Sequence, residues 1–190
     1  MEQRYIDLYD EFTHTTMPRR VFMERLTKMA GSTAAATTIA SMIGPNYAKA
    51  AVTKPDDSRL SMEILTYPGK TGPINAYHVR PKGNAKLPAI VVIHENRGLN
   101  PHIEDVARRL AVANFMAFAP DGLTSVGGYP GDDDKGGQLF GTVDRTKMGE
   151  DLYAAAVWLR SRPDSTGKLG VTGFCFGGGI ANALAVRMGA

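Results

Sequence analysis

Beyond Leu60 the apolar positions of the chain switch repeatedly between a two-residue and a helical period. SMEILTYP (61–68) and NAYHVRP (75–81) alternate imperfectly on either side of a Gly- and Pro-containing connector, which predicts a β-hairpin. PAIVVI (88–93) is a continuous run rich in β-branched residues, the pattern of a strand buried on both faces, and predicts a central parallel strand. IEDVARRLAVA (103–113) puts Ile103, Val106, Leu110 and Val112 or Ala113 near one face, so a helix is expected with Arg108 and Arg109 in solvent. Phe115 to Ala119 reads as the next strand, stopped by Pro120-Asp121-Gly122. Residues 122–146 are polar, hold seven glycines and are expected to form a long loop, a length that usually carries function. KMGEDLYAAAVWLR (147–160) restores the helical period with Met148, Leu152, Ala155, Ala156 and Leu159 inward, Lys168 to Thr172 reads as a third parallel strand, and Ile180 to Met188 as a last helix. A hairpin followed by βαβαβα specifies a doubly wound, mainly parallel α/β sheet.

Residues 1–50 follow a different pattern. Tyr5, Leu8, Tyr9 and Phe12 recur at helical spacing, and residues 29–43 hold only small and apolar residues with no charge. Pro18-Arg19-Arg20-Val21-Phe22, this uncharged stretch and Ala48-Lys49-Ala50 resemble a twin-arginine export signal ending in a signal-peptidase triplet, which implies a periplasmic protein. The alternative expectation is a helical appendage on a cytoplasmic protein, supported by the long acidic stretch before the arginines (Glu2, Asp7, Asp10, Glu11) and by Glu24 behind them. The division therefore falls between 1–50 and 51–190.

Charge and composition narrow the classes. The net charge is +3, spread as six Lys/Arg against five Asp/Glu in residues 1–50 and sixteen against fourteen in the rest, so no basic stripe argues for nucleic acid. No run of eighteen apolar residues predicts a membrane span. The single cysteine, Cys175, excludes an intramolecular disulfide and a multi-cysteine zinc site. Asp132, Asp133 and Asp134 read as solvated carboxylates in a glycine-rich loop, and no metal site is expected.

Candidate chemistry begins at that cysteine. Gly173-Phe174-Cys175-Phe176-Gly177 is G-x-C-x-G between an expected strand and an expected helix, the context of a nucleophile elbow. A strand reversing sharply into a helix strains the central residue, and glycines on both sides keep Cβ atoms out of the crowded turn. The thiol then lies at the positive end of a helix, which favours thiolate. A buried structural cysteine is the competing expectation. His94-Glu95-Asn96-Arg97-Gly98-Leu99-Asn100 follows the central strand, and ligands of open α/β sheets bind beyond strand carboxyl ends, so the two segments should share a crevice. Acyl transfer needs two N–H donors for the oxyanion, for which Phe176 and Asn96 are the candidates. His94 is expected to be a strand-end residue hydrogen-bonded to backbone, and Arg97 either a structural ion pair or an anion binder.

HENRGLN (94–100), APDGL (119–123) and GFCFGGG (173–179) together resemble the dienelactone hydrolase family of the α/β-hydrolase superfamily, over about residues 60–190. The resemblance implies a Cys-His-Asp triad with Cys175 as nucleophile, and a glutamate at Glu95 that holds or helps ionise the thiol. It also implies small ester or lactone substrates carrying a carboxylate, and no cofactor. The arginine that binds the carboxylate is not assigned, so Arg97 and Arg145 stay outside the catalytic set. In this superfamily the acid and histidine follow the nucleophile, whereas His14, His78, His94 and His102 all precede Cys175, and fifteen residues follow it. The expectation is thus the N-terminal part of a longer protein, catalytically incomplete as it stands. An inactive remnant or binding module of the same fold is the alternative; a phosphate-cradling loop is disfavoured by the absence of G-x-G-x-x-G and of Gly-Lys-Ser/Thr.

Overall fold

The computed structural model describes residues 2–44 and 51–189, in two compact units divided after Ala50. The triplet Ala48-Lys49-Ala50 lies outside the described residues.

The first unit holds three helices, α1 (Gln3–His14), α2 (Arg19–Ala30) and α3 (Thr33–Ile43). Tyr5, Leu8 and Phe12 of α1 are buried against Phe22, Leu26 and Ala36, with the Phe12 and Phe22 rings stacked at 4.6 Å. Gly31 ends α2 in the left-handed region (φ 80°), and the Ser32 side chain accepts from the Ala35 N–H to start α3. Arg19 and Arg20 form the exposed first turn of α2, where Arg20 pairs with Glu24.

The second unit is built on five strands, β1 (Leu60–Pro68), β2 (Pro73–Pro81), β3 (Leu87–Ile93), β4 (Met116–Pro120) and β5 (Ser165–Gly173), in the order β1-β2-β4-β3-β5. β3, β4 and β5 are parallel; β2 joins them antiparallel and carries β1 as its hairpin partner. Four helices connect or follow these strands: α4 (Pro101–Val112), α5 (Asp133–Phe140), α6 (Arg145–Ser161) and α7 (Phe176–Met188).

The two-residue period of the strands sorts their side chains onto two cores. Val92, Ala117 and Ala119 face α4 together with Tyr77 and Val79. Val91, Ile93, Met116 and Phe118 face the other way, against Met148, Leu152, Ala155, Ala156 and Leu159 of α6, Phe140 of α5 and Leu184 of α7. The sheet is therefore covered on both faces, and β3 is buried on both, as its sequence requires.

Two expectations need correction. Arg108 is not in solvent: it is 2% exposed, its Nε donates to the Thr53 carbonyl at 2.8 Å and Nη1 to the Tyr77 hydroxyl at 3.4 Å. The buried face of α4 runs through Ile103, Val106, Ala107 and Ala111, which turns Val112 outward and brings Arg108 in beside Asp105. An apolar-periodicity reading assigns every arginine to water, but here the Thr53 carbonyl, before β1, and the Tyr77 hydroxyl, on β2, receive it. Residues 122–146, expected to be one loop, contain a 3-10 turn (Thr124–Val126) and α5. Asp132 caps α5 by accepting from the Lys135 N–H, so these carboxylates include a helix cap and not only solvated charge. The pair Gly136-Gly137 hid this helix in the sequence, since glycine is a poor helix former.

Candidate active site

Ile93 at the end of β3 pairs with Gly173 at the end of β5, so the two segments singled out in the sequence leave the sheet side by side. From these adjacent ends α4 packs on one face of the sheet and α7 on the other. Cys175 is exposed and Glu95 and Asn96 are half-buried at these strand ends, whereas His94 is fully buried.

Cys175 has φ 53° and ψ −118°, one of two non-glycine residues with positive φ among the described residues. A side chain there is strained, and the surroundings force the strain. A Cβ on Gly173 would strike the backbone of Gly177, and a Cβ on Gly177 would come within 3.0 Å of the carbonyls of Ile93 and His94. The β5–α7 turn can be this tight because both positions are glycine. Cys175 is exposed, and its own carbonyl accepts from the N–H groups of Gly178 and Gly179 as α7 begins. Phe176 is the first residue of that helix, so its N–H has no acceptor within the helix.

Each residue of HENRGLN has a local task. His94 is fully buried, with Nδ1 2.6 Å from the Glu95 carbonyl and Nε2 accepting from the Gly122 N–H at 3.0 Å. A backbone N–H can only donate, so the ring proton sits on Nδ1. Burial is the main cause that holds the imidazole below its ordinary value, against the raising effects of the Glu95 carbonyl and the charges of Asp121 and Glu95. Glu95 and Asn96 are half-buried at the turn, and no hydrogen bond or ion pair joins Glu95 to Cys175 among the described residues. Arg97 lies along the start of α5, where Nη1 donates to the Asp133 carbonyl at 3.3 Å. Gly98 sits at φ 87°, a conformation that favours glycine, and a Cβ there would also strike the Leu123 side chain. Leu99 enters the core beneath α4, and the Asn100 side chain caps that helix by accepting from the Ile103 N–H.

Sequence reasoning singled out APDGL without showing its purpose. Asp121 is buried and accepts from the N–H groups of Leu123 and Tyr129, which closes the turn after β4 and aims the Gly122 N–H at His94. Tyr129 in turn donates to Asp133 at 2.8 Å; burial, then that carboxylate, keep its phenol protonated above the ordinary range. Asp121 stands between proline and glycine, a turn signature that could have marked it. Nothing in the spacing pointed to Tyr129. Arg145 stacks over Phe140 at 5.1 Å. Among the described residues no group of three His, Cys, Asp or Glu side chains could hold a metal ion, and no helix is long and apolar enough to cross a membrane.

Residues 74–190 match the model of the dienelactone hydrolase family. The chain belongs to that family. It is 54% identical over 108 residues to an Escherichia coli (strain K12) protein named "Putative hydrolase fragment YghX", covering 55% of this chain and 92% of that protein. It is 33% identical over 159 residues to a "Putative carboxymethylenebutenolidase" of the same strain, covering 81% of this chain and 55% of that protein. A solved Klebsiella pneumoniae structure described as a "Putative Dienelactone Hydrolase" superposes with a TM-score of 0.57 at 29% identity, over 67% of this chain and 55% of that one. The chain thus spans about half the length of the carboxymethylenebutenolidase relative and of the solved dienelactone hydrolase structure. The fold is of the α/β-hydrolase type, and residues 94–100, 119–123 and 173–179 all lie within the matched span.

Proposed function

We propose that the chain carries the nucleophile half of a hydrolase acting on small ester or lactone bonds, with Cys175 as the attacking group. The supporting observation is the backbone of Cys175, strained at φ 53° and ψ −118° between β5 and α7 and held so by two glycines that tolerate no Cβ. In this reading the thiolate sulfur adds to the ester carbonyl carbon, and the carbonyl π electrons move onto oxygen. The oxyanion accepts from the N–H groups of Phe176 and Asn96. Collapse of the adduct breaks the bond to the leaving oxygen and leaves an acyl thioester on Cys175, which water then hydrolyses. Glu95 is assigned to hold the thiol proton, on its position in the family motif. His94 does not serve as base, since both ring nitrogens are engaged by backbone groups. A burst of the first product would show that hydrolysis of the thioester is slower than its formation.

The test is p-nitrophenyl acetate hydrolysis by wild type and Cys175→Ala. The reading expects a burst approaching one equivalent of p-nitrophenolate per chain, followed by slow turnover, with the burst lost in Cys175→Ala. An unchanged trace in Cys175→Ala overturns it.

For residues 1–50 we propose an export role, resting on Arg19-Arg20, the uncharged stretch and the triplet at 48–50. Thr53, just beyond that triplet, is already anchored in the second unit, its N–H donating to Asp105 at 2.8 Å and its carbonyl accepting from Arg108. Mass spectrometry of periplasmic protein from an export-competent host should find a chain beginning at Ala51; an intact N-terminus confined to the cytoplasm supports the appendage instead.

A further inference from the structure

Among the residues around the elbow, His94 makes contacts that the proposed chemistry does not use. Its ring is reached from three directions. From the end of β4, Gly122 donates its N–H to Nε2, and a Cβ on Gly122 would lie 2.7 Å from that nitrogen, so only glycine allows the approach. From its own loop, the Glu95 carbonyl takes the Nδ1 proton. From the elbow, the Phe176 ring lies 6.5 Å from the imidazole, centroid to centroid, at an angle of 29°, and a Cβ on Gly177 would come within 2.6 Å of the His94 carbonyl oxygen. Phe140 of α5 closes the cluster, edge-on to both rings, at 6.5 Å from His94 and 5.0 Å from Phe176. Glycines from two different turns therefore abut one histidine, and the residue after the nucleophile leans on its ring.

We propose that His94 is a positioning residue, an uncharged Nδ1–H imidazole that ties the ends of β3 and β4 to the elbow and so fixes the backbone of Cys175 and Phe176. The inference rests on the reading of Cys175 as the nucleophile, and adds the group that holds the elbow in register. The geometry leaves no room for a second ring proton. Nε2 already faces a donor, so protonation would set two N–H groups against each other at the Gly122 contact and break the tie between strand ends. The ionisable groups facing the ring are Asp121 from the β4 turn and Glu95 from its own loop; α5 and α7 present aromatic rings to it. Both carboxylates favour the cation, yet burial prevails and keeps the ring neutral.

Two measurements on the folded full chain test this. Long-range ¹H–¹⁵N correlation of the imidazoles should show His94 as the neutral Nδ1–H tautomer, remaining so below pH 6, where a solvated histidine with a value of about 6.5 is mostly protonated. A His94 ring with its proton on Nε2, or one titrating at the ordinary value, overturns the proposal. Iodoacetamide alkylation of Cys175 should then slow or accelerate by about tenfold in His94→Ala, as the elbow relaxes. In His94→Gln, whose amide oxygen can accept from the Gly122 N–H, it should return to within a few-fold of wild type. Folding of each variant is checked by amide spectra, and the Gln variant together with the wild-type tautomer carries the test if His94→Ala does not fold. Equal alkylation rates in wild type and a folded His94→Ala overturn the positioning role. An inert Cys175 thiol in wild type instead removes the nucleophile reading, while the tautomer and the Gly122 amide shift still decide the role of His94.

Discussion

Cys175 holds a backbone conformation that glycine would adopt more easily, and an L side chain there costs about 1–3 kcal/mol. That strain is expected to be visible in stability. Cys175→Gly should raise unfolding free energy by about 1 kcal/mol while removing the thiol, measured as a shift in urea midpoint at unchanged m-value. A destabilised Cys175→Gly would mean that the side chain contributes packing the turn depends on. The flanking glycines predict the opposite sign. Gly177→Ala sets a Cβ against the carbonyls of Ile93 and His94, backbone atoms that cannot swing aside, and should lower stability by about 1–3 kcal/mol. Both glycines and the cysteine were legible in the sequence because one residue type answers one steric demand. The role of Gly122 was not, because the nitrogen its N–H satisfies lies on a loop 28 residues away in the chain.

At the scale of elements, the strands and the long helices followed from periodicity, since each buries a face wide enough to leave a two- or 3.6-residue signature. Helix α6 is the clearest case: Met148, Leu152, Ala155, Ala156 and Leu159 all point into the core. Helix α4 departed from its expected face because Arg108 and Asp105 are buried on it, and these serve a backbone strap and not the apolar core. Arg108 is the buried charge of that network, with Glu104 and Asp105 within 3.6 and 3.9 Å. Replacing it by alanine leaves the buried Thr53 carbonyl without its donor, while Asp105 keeps Arg109 at 3.3 Å, and should cost about 3 kcal/mol. Thermal or urea unfolding checks the loss, and a change under 1 kcal/mol would show that the strap is held elsewhere. Helix α5 escaped the sequence because two glycines interrupt its pattern. A Cβ on Gly136 would run into the Arg97 carbonyl, so their cost in propensity accompanies a close approach to the loop beside the site.

For the whole molecule, the two buried histidines of the second unit give stability a pH dependence of definite sign. His78 and His94 are both held below their ordinary value of 6.5, mainly by burial; His78 faces Glu63, Arg162 and Asp164, and its Nδ1 lies 3.1 Å from Glu63. In the unfolded chain each takes up a proton near the ordinary value, while the folded state resists until lower pH. The unfolded state therefore binds more protons below about pH 6.5, and folding stability falls as pH drops, by up to about 1.4 kcal/mol per unit for each histidine. Above pH 7 both contributions are fully present. Denaturation midpoints from pH 7.5 to 5 should show this decline, and His78→Gln should flatten part of it. An unchanged midpoint across that range would mean that the imidazoles are charged or solvated in the folded state. Asp164, held below its ordinary value mainly by its hydrogen bonds to Arg162, adds its own loss as pH falls through the ordinary aspartate value and below it, so the two effects separate on the pH axis.

The proposed role of Cys175 rests on the strained turn, and the most direct measurement asks where an acyl group goes. After brief exposure of the folded chain to p-nitrophenyl acetate and acid quenching, peptide mass mapping should locate a single acetyl group on Cys175, absent when the chain is first unfolded in urea. Acetyl groups scattered over lysines at equal extent in folded and unfolded protein, with Cys175 unmodified, would contradict the account.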